Sequence, residues 1–219
     1  MERALYEQME NCMLDAMEAG AHDAEHVYRV LYAALDIAQT EPAADLDVVI
    51  AACLLHDIGR AEERQDPSVC HAQVGAEKAY RFLLGIGQDE RFAAHVRDCI
   101  RTHRFRSDAP PVSLEAKILF DADKLDVCGA LGVARTLMYQ GHHRQPLYET
   151  RDGHILQKGG ESFVNEYNRK LCHLYGGFLT QEGARLAAGR KRAAEAYYQA
   201  LMEEVEFGRE GLNRLELEN

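Results

Sequence analysis

The chain reads as all-α, a helical bundle with a helical C-terminal extension. Three observations predict it. Apolar residues recur at helical spacing nearly throughout, no run shows the period of two that marks a half-buried strand, and Gly, Pro, Asp and Ser stand where helices should start or stop. The spacing of Leu5, Met9, Cys12, Met13, Ala16 and Met17 predicts a first helix over about residues 2–19, ended by Gly20. Asp23 is an N-cap for a second, which carries Val27, Val30, Leu31, Ala34 and Ile37 inward to about Thr40 and stops at Pro42. Asp45 caps a third that reaches His56-Asp57. The span from Gly59 to Cys70 is polar, contains Asp66-Pro67 and reads as a loop of the kind that borders active sites. Helices are expected again near 71–85, 89–103 and 113–139, the last starting at Ser113 behind Pro110-Pro111. Residues 140–160 form the one long irregular stretch, with the composition of a mobile loop or lid. Two further helices, over 161–175 and 180–206, close the chain before an acidic tail.

A length of 219 residues suits one domain with a sizeable core. The expected organisation is a helical domain over 1–140, with a loop and helical extension over 141–219 packed on the same domain. A net charge of −11 argues against nucleic acid as a partner, because that affinity comes from Lys and Arg neutralising phosphates. It leaves room for a small phosphorylated substrate, since a bound dication reverses the local field. No apolar stretch approaches the ~18–20 residues that span a bilayer, so no membrane is expected. The six cysteines include no Cys-x-x-Cys pair, and Cys53, Cys99 and Cys128 lie in apolar helical runs, which suits a reduced, cytoplasmic protein.

The chemistry gathers at four residues. The apolar run from Val48 to Leu55 leads straight into His56 and Asp57. Burying either without a partner costs several kcal/mol, roughly 2–7 for an unpaired polar group and more for a charge. One hard divalent cation satisfies both. His26 lies on the face of the second helix that also carries Val30, Ala33 and Ile37. A fourth ligand is expected from the run 118–126, where three aspartates compete. Asp123 has Leu119 and Phe120 behind it and Val127 ahead, so it projects from an apolar face, whereas Asp121 sits between Lys117 and Lys124 in the pattern of a solvated ion-pair face. Asp126, on the flank of Asp123, is placed to accept a hydrogen bond from a ligand. His22 and His26 share the spacing of a zinc-protease helix, but no Glu follows His22 directly, which argues against that reading.

These residues resemble the HD-domain family of metal-dependent phosphohydrolases, named for its adjacent His-Asp pair. The resemblance lies in His26 followed by Tyr28-Arg29-Val30, in His56-Asp57-Ile58-Gly59-Arg60, in Asp121-Ala122-Asp123-Lys124-Leu125-Asp126, and in the run Gly129 to Arg135. It covers about residues 20–140 well. The part around Phe163 to Tyr198 looks like the helical extension of one branch. The resemblance implies an α-helical HD-domain bundle that binds a divalent metal through His26, His56, Asp57 and Asp123. His71 and His103 are similar to the additional ligands of members that hold two metals. Two readings of them stand: ligands of a second ion bridged by Asp57, or contacts to substrate phosphate.

A His and carboxylate set without thiolate suits Mn²⁺ foremost, then Fe²⁺, Co²⁺, Mg²⁺ or Ni²⁺, over a structural zinc. The expected reaction is attack of a metal-activated water on a phosphorus of a nucleotide, with Asp57 orienting the water. Arg60, at the basic position of the His-Asp-x-Gly-Lys/Arg motif, and Lys124 are the expected phosphate contacts. The branch resemblance implies cleavage of a (deoxy)nucleoside triphosphate to monophosphate and pyrophosphate. The pattern of His71 and His103 implies a dinucleoside polyphosphate or a nucleoside monophosphate instead. A non-catalytic metal- or nucleotide-binding regulatory domain is the competing class, and retention of Arg60, His71 and His103 around the tetrad argues against it.

Overall fold

Beyond Asp47 in its first turn, the α3 helix, Leu46–Leu55, is apolar on every side, and a helix of that kind has to be surrounded. In a computed structural model that describes residues 1–17, 24–104 and 110–210, it is. Around it pack α1 (Arg3–Ala16), α2 (Ala24–Ala38), α5 (His71–Gly85), α6 (Glu90–Thr102) and α7 (Leu114–Leu125). Val49, Ala51, Ala52, Cys53, Leu54 and Leu55 lose all contact with solvent. Each buried leucine contributes roughly 1.5–3 kcal/mol. Asp45 caps α3 by accepting from the amides of Asp47 and Val48, as its place in the sequence predicts. The backbone N–H of Asp45 in turn donates to the Glu115 carboxylate at 2.8 Å, which ties the start of α3 to the start of α7. Ser113 and Asp89 cap α7 and α6 in the same way. Gly20 and Asp23, the expected stop and start between the first two helices, lie outside the described residues, as does the acidic tail beyond Glu210.

Some expected elements differ in the structure. The span from Gly59 to Cys70 is not wholly a loop, because Arg60–Gln65 forms the short helix α4. The single helix expected over 113–139 is two. After α7, Gly129 takes a φ of +70° and opens α8, Gly129–His142. A Cβ at Gly129 would also lie 2.9 Å from that of Arg190, so both the turn and the close approach require glycine there. The stretch 140–160 holds a small antiparallel hairpin, Thr150–Arg151 (β1) with His154–Ile155 (β2), turned by Asp152 and Gly153 at positive φ.

Beyond the hairpin come α9 (Phe163–Arg169), a single 3₁₀ turn at Leu171–His173, and α10 (Gln181–Glu210). By its internal contacts the chain divides into two compact units, Met1–Asp126 with Gly177–Leu186, and Val127–Gly176 with Ala187–Asn219. A boundary at residue 140 would fall inside α8. The core of the second unit is Val133, Phe163, Tyr167, Leu171 and Ala194, with Tyr167 stacked on Tyr198 at 3.9 Å.

In the first unit, Asp121 is fully buried rather than solvated. Its carboxylate accepts from the amides of Leu179 and Thr180 and from the Thr180 hydroxyl at 2.6 Å, while Thr180 Oγ1 accepts from the amide of Gly183 to cap α10. Burial raises the pKa of Asp121 against these hydrogen bonds. The lysines flanking it in sequence could not reveal this, because the partners lie 58 and 59 residues away. No described helix is long and apolar enough to cross a membrane.

Candidate metal centre

Four helix ends and one helix face meet around Asp57. His56 and Asp57 follow the last turn of α3, His71 opens α5, His103 caps α6, Asp123 lies in the last turn of α7, and His26 projects from the buried face of α2. His26, His56, Asp57 and His71 are all fully buried, His103 is 2% exposed, and Asp123 is half-buried. Gly59 makes the meeting possible. A Cβ there would sit 2.4 Å from the carbonyl oxygen of His71 and 2.6 Å from the amide nitrogen of Gly75, so α5 can cross the α3–α4 corner only over a glycine.

The two oxygens of Asp57 face two groups of side chains. Oδ2 lies 3.5 Å from His26 Nε2 and 3.6 Å from His56 Nε2, and His26 Nε2 is also 3.5 Å from Asp123 Oδ1. Oδ1 lies 3.3 Å from His71 Nε2 and 3.8 Å from His103 Nε2. Potential ligand atoms of His26, His56 and Asp123 fall within 4.8 Å of one another, and so do those of Asp57, His71 and His103.

The outward ring nitrogens decide which way the lone pairs point. His56 Nδ1 donates to the Cys53 carbonyl at 2.7 Å and His103 Nδ1 to the Ile100 carbonyl at 2.6 Å. A carbonyl only accepts, so in each neutral ring the proton sits on Nδ1 and Nε2 presents its lone pair. His56 Nε2 is buried and has no hydrogen-bond partner among the described residues. An unsatisfied buried acceptor costs about 1–3 kcal/mol. A cation held by His56 together with His26, Asp57 and Asp123 removes that cost, and these side chains fit one.

The charges agree. Burial pushes the pKa of His56 down, and burial together with neighbouring His56 takes that of His103 to about 3. For His26 burial works in the same direction, but the hydrogen bond to Asp126 and the carboxylates of Asp57 and Asp123 outweigh it and raise the value to about 9. Asp123 is disfavoured by burial yet held below the ordinary carboxylate range by His26, His56 and His103.

Known proteins resemble this chain. The HD domain family profile matches residues 23–128, which span His26 to Asp126. The uncharacterised Bacillus subtilis protein YpgQ is 30% identical over 177 residues, 79% of each chain. The chain belongs to the HD-domain family. Among solved structures, a predicted HD superfamily hydrolase from an uncultured Thermotogales bacterium is 31% identical, with a TM-score of 0.64 over 90% of this chain and 91% of that one. Bacillus subtilis YpgQ in complex with ADP is 26% identical, with a TM-score of 0.72 over 91% and 97%.

Within this HD domain the remaining side chains can be placed. Arg60 Nε stands 2.9 Å from Asp57 Oδ1. Lys124 donates to the Gly177 carbonyl at 3.1 Å and lies over the rings of Phe120 and Phe178. Asp126 accepts from His26 Nδ1 at 2.7 Å and from Arg29 at 2.7 Å. Glu63 and Arg104 are side chains that sequence reasoning missed. Glu63 stands 2.7 Å from His71 Nδ1 and also receives Arg60 and Arg104. Burial opposes its charge, but His71 and Arg104 together bring its pKa to about 2. Its position on α4 was the available signal, hidden by reading that span as loop. His22 lies outside the described residues.

Proposed function

We propose that the chain is a metal-dependent phosphohydrolase acting on nucleotides, with a (deoxy)nucleoside triphosphate cleaved to monophosphate and pyrophosphate as the leading reaction. The observation that carries the reading is the convergence of two buried ligand groups on the two oxygens of Asp57. The hydrolase description of the Thermotogales relative and the ADP bound by YpgQ support it.

In this reading His26, His56, Asp57 and Asp123 hold a divalent cation, Mn²⁺ first. Such an ion supplies Lewis acidity toward a phosphoryl oxygen and makes hydroxide available near neutral pH. Asp57 anchors the cation and, through a carboxylate fully shielded from bulk solvent, orients the attacking water. Arg60, beside Asp57 Oδ1, is the phosphate contact. Lys124 serves as a second cationic contact. The grouping of His71 and His103 with Asp57 favours a second reading of the same class, a dinuclear centre for dinucleoside polyphosphates or nucleoside monophosphates.

The test is product analysis by chromatography. Metal-stripped protein is given Mn²⁺ with a panel of nucleoside tri-, di- and monophosphates and dinucleoside polyphosphates. Metal-dependent release of pyrophosphate from a triphosphate is the expected result, absent from Asp57→Ala, whose helicity should persist. An Asp57→Ala protein as active as the parent would overturn the assignment. No turnover across the panel would favour a regulatory nucleotide-binding domain.

A further inference from the structure

Four imidazoles surround Asp57, and their outward nitrogens are held in two ways. His56 and His103 each use a backbone carbonyl three residues back. His26 and His71 each use a carboxylate at 2.7 Å, Asp126 and Glu63 respectively. Each of those carboxylates is gripped by arginine. Arg29 reaches Asp126 at 2.7 and 3.2 Å, while Arg60 reaches Glu63 at 3.2 Å and Arg104 joins it from α6's C-terminal end. The two ligand groups therefore share one plan, with one carbonyl-backed imidazole and one carboxylate-backed imidazole in each.

We propose that Glu63 is the positioning residue of the half of the site formed by Asp57, His71 and His103, and sets its affinity for a second divalent cation. Glu63 acts through His71. Its carboxylate holds the proton on Nδ1, so the Nε2 lone pair faces Asp57 Oδ1 at 3.3 Å. His103 Nδ1 is committed to the Ile100 carbonyl, so its Nε2, 3.3 Å from that of His71, also presents a lone pair. Two nitrogen acceptors and a carboxylate oxygen then face one another in a buried space, an arrangement that a divalent cation satisfies. Arg60 and Arg104 donate to Glu63 and stop it turning away, and Arg104 Nη1 also lies 3.1 Å from His71 Nδ1. The inference rests on the metal-binding reading above.

The experiment is calorimetric titration of metal-stripped protein with Mn²⁺, with the ion count checked by elemental analysis after desalting. The parent should take up two ions per chain. Glu63→Ala should keep one ion at parental affinity and bind the other about 10–100-fold more weakly. Asp126→Asn should weaken the opposite ion. Nitrogen NMR of the metal-free parent gives a readout that needs no variant, and His71 should carry a proton on Nδ1. Two ions bound by Glu63→Ala at parental affinity, or a His71 protonated on Nε2 alone, would overturn the role of Glu63 and leave the metal reading intact. A parent that takes up one ion would overturn the second site and the role of Glu63 together. A parent that takes up none would overturn the metal reading as well.

Discussion

A histidine at the end of an apolar helix has few ways to satisfy both ring nitrogens. His56 gives one to the carbonyl of Cys53 and turns the other toward Asp57 and His26, whose ring centroid lies 5.4 Å away. His56 and Asp57 were legible in the sequence because a polar pair at the end of an apolar run is costly without a partner. The choice of Asp123 over Asp121 was legible in part. Helical spacing separated the two faces, but Asp121 proved buried because its partners, Leu179 and Thr180, come from a distant segment. Glu63 and Arg104 were not legible, since each is an ordinary charged residue until the fold brings both to His71. At this scale Asp126 is the informative substitution. Asp126→Asn removes the charge behind His26 Nδ1 and should raise the Mn²⁺ dissociation constant about 10–100-fold with little change in helicity, read by calorimetry and circular dichroism. An unchanged constant would remove Asp126 from the account.

Helices were legible where their own apolar stripes and caps define them. Asp45, Asp89 and Ser113 cap α3, α6 and α7, and α5 has its expected bounds. What escaped were breaks made by single residues. Gly129 divides α7 from α8 inside a continuous apolar pattern, and Asp152-Gly153 turns a hairpin too short to show an alternation. Gly59 is the element-scale hinge of the site, because it sets how closely α5, and with it His71, approaches α3. Gly59→Ala would place a methyl group against the backbone of His71 and Gly75. It should cost about 1–3 kcal/mol or more in chemical denaturation, and the surviving folded protein should bind Mn²⁺ more weakly. A variant with the parental denaturation midpoint would show that the crossing tolerates a side chain.

At the scale of the molecule, the HD profile ends at residue 128, close to where the first compact unit gives way to the second at Asp126–Val127. The second unit was less legible, because its core joins Phe163, Tyr167 and Leu171, spaced by four, to Val133 and Ala194 from distant segments. The chain carries a net charge of −11, and the carboxylates of Asp57, Asp123 and Asp126 all meet His26, so a divalent cation should stabilise the fold as well as serve chemistry. Mn²⁺ at a hundredfold excess over its dissociation constant should add about 2.7 kcal/mol. For a chain of this size that is a rise of about 5–10 °C in Tm, and it should vanish in Asp57→Ala. The most direct test of the central claim is an anomalous difference map from a crystal grown with Mn²⁺. Anomalous density is expected within coordinating distance of His26, His56, Asp57 and Asp123, with a second peak about 3.5–4 Å away beside His71 and His103. Mn²⁺ bound only at surface carboxylates, with nothing between those side chains, would contradict it.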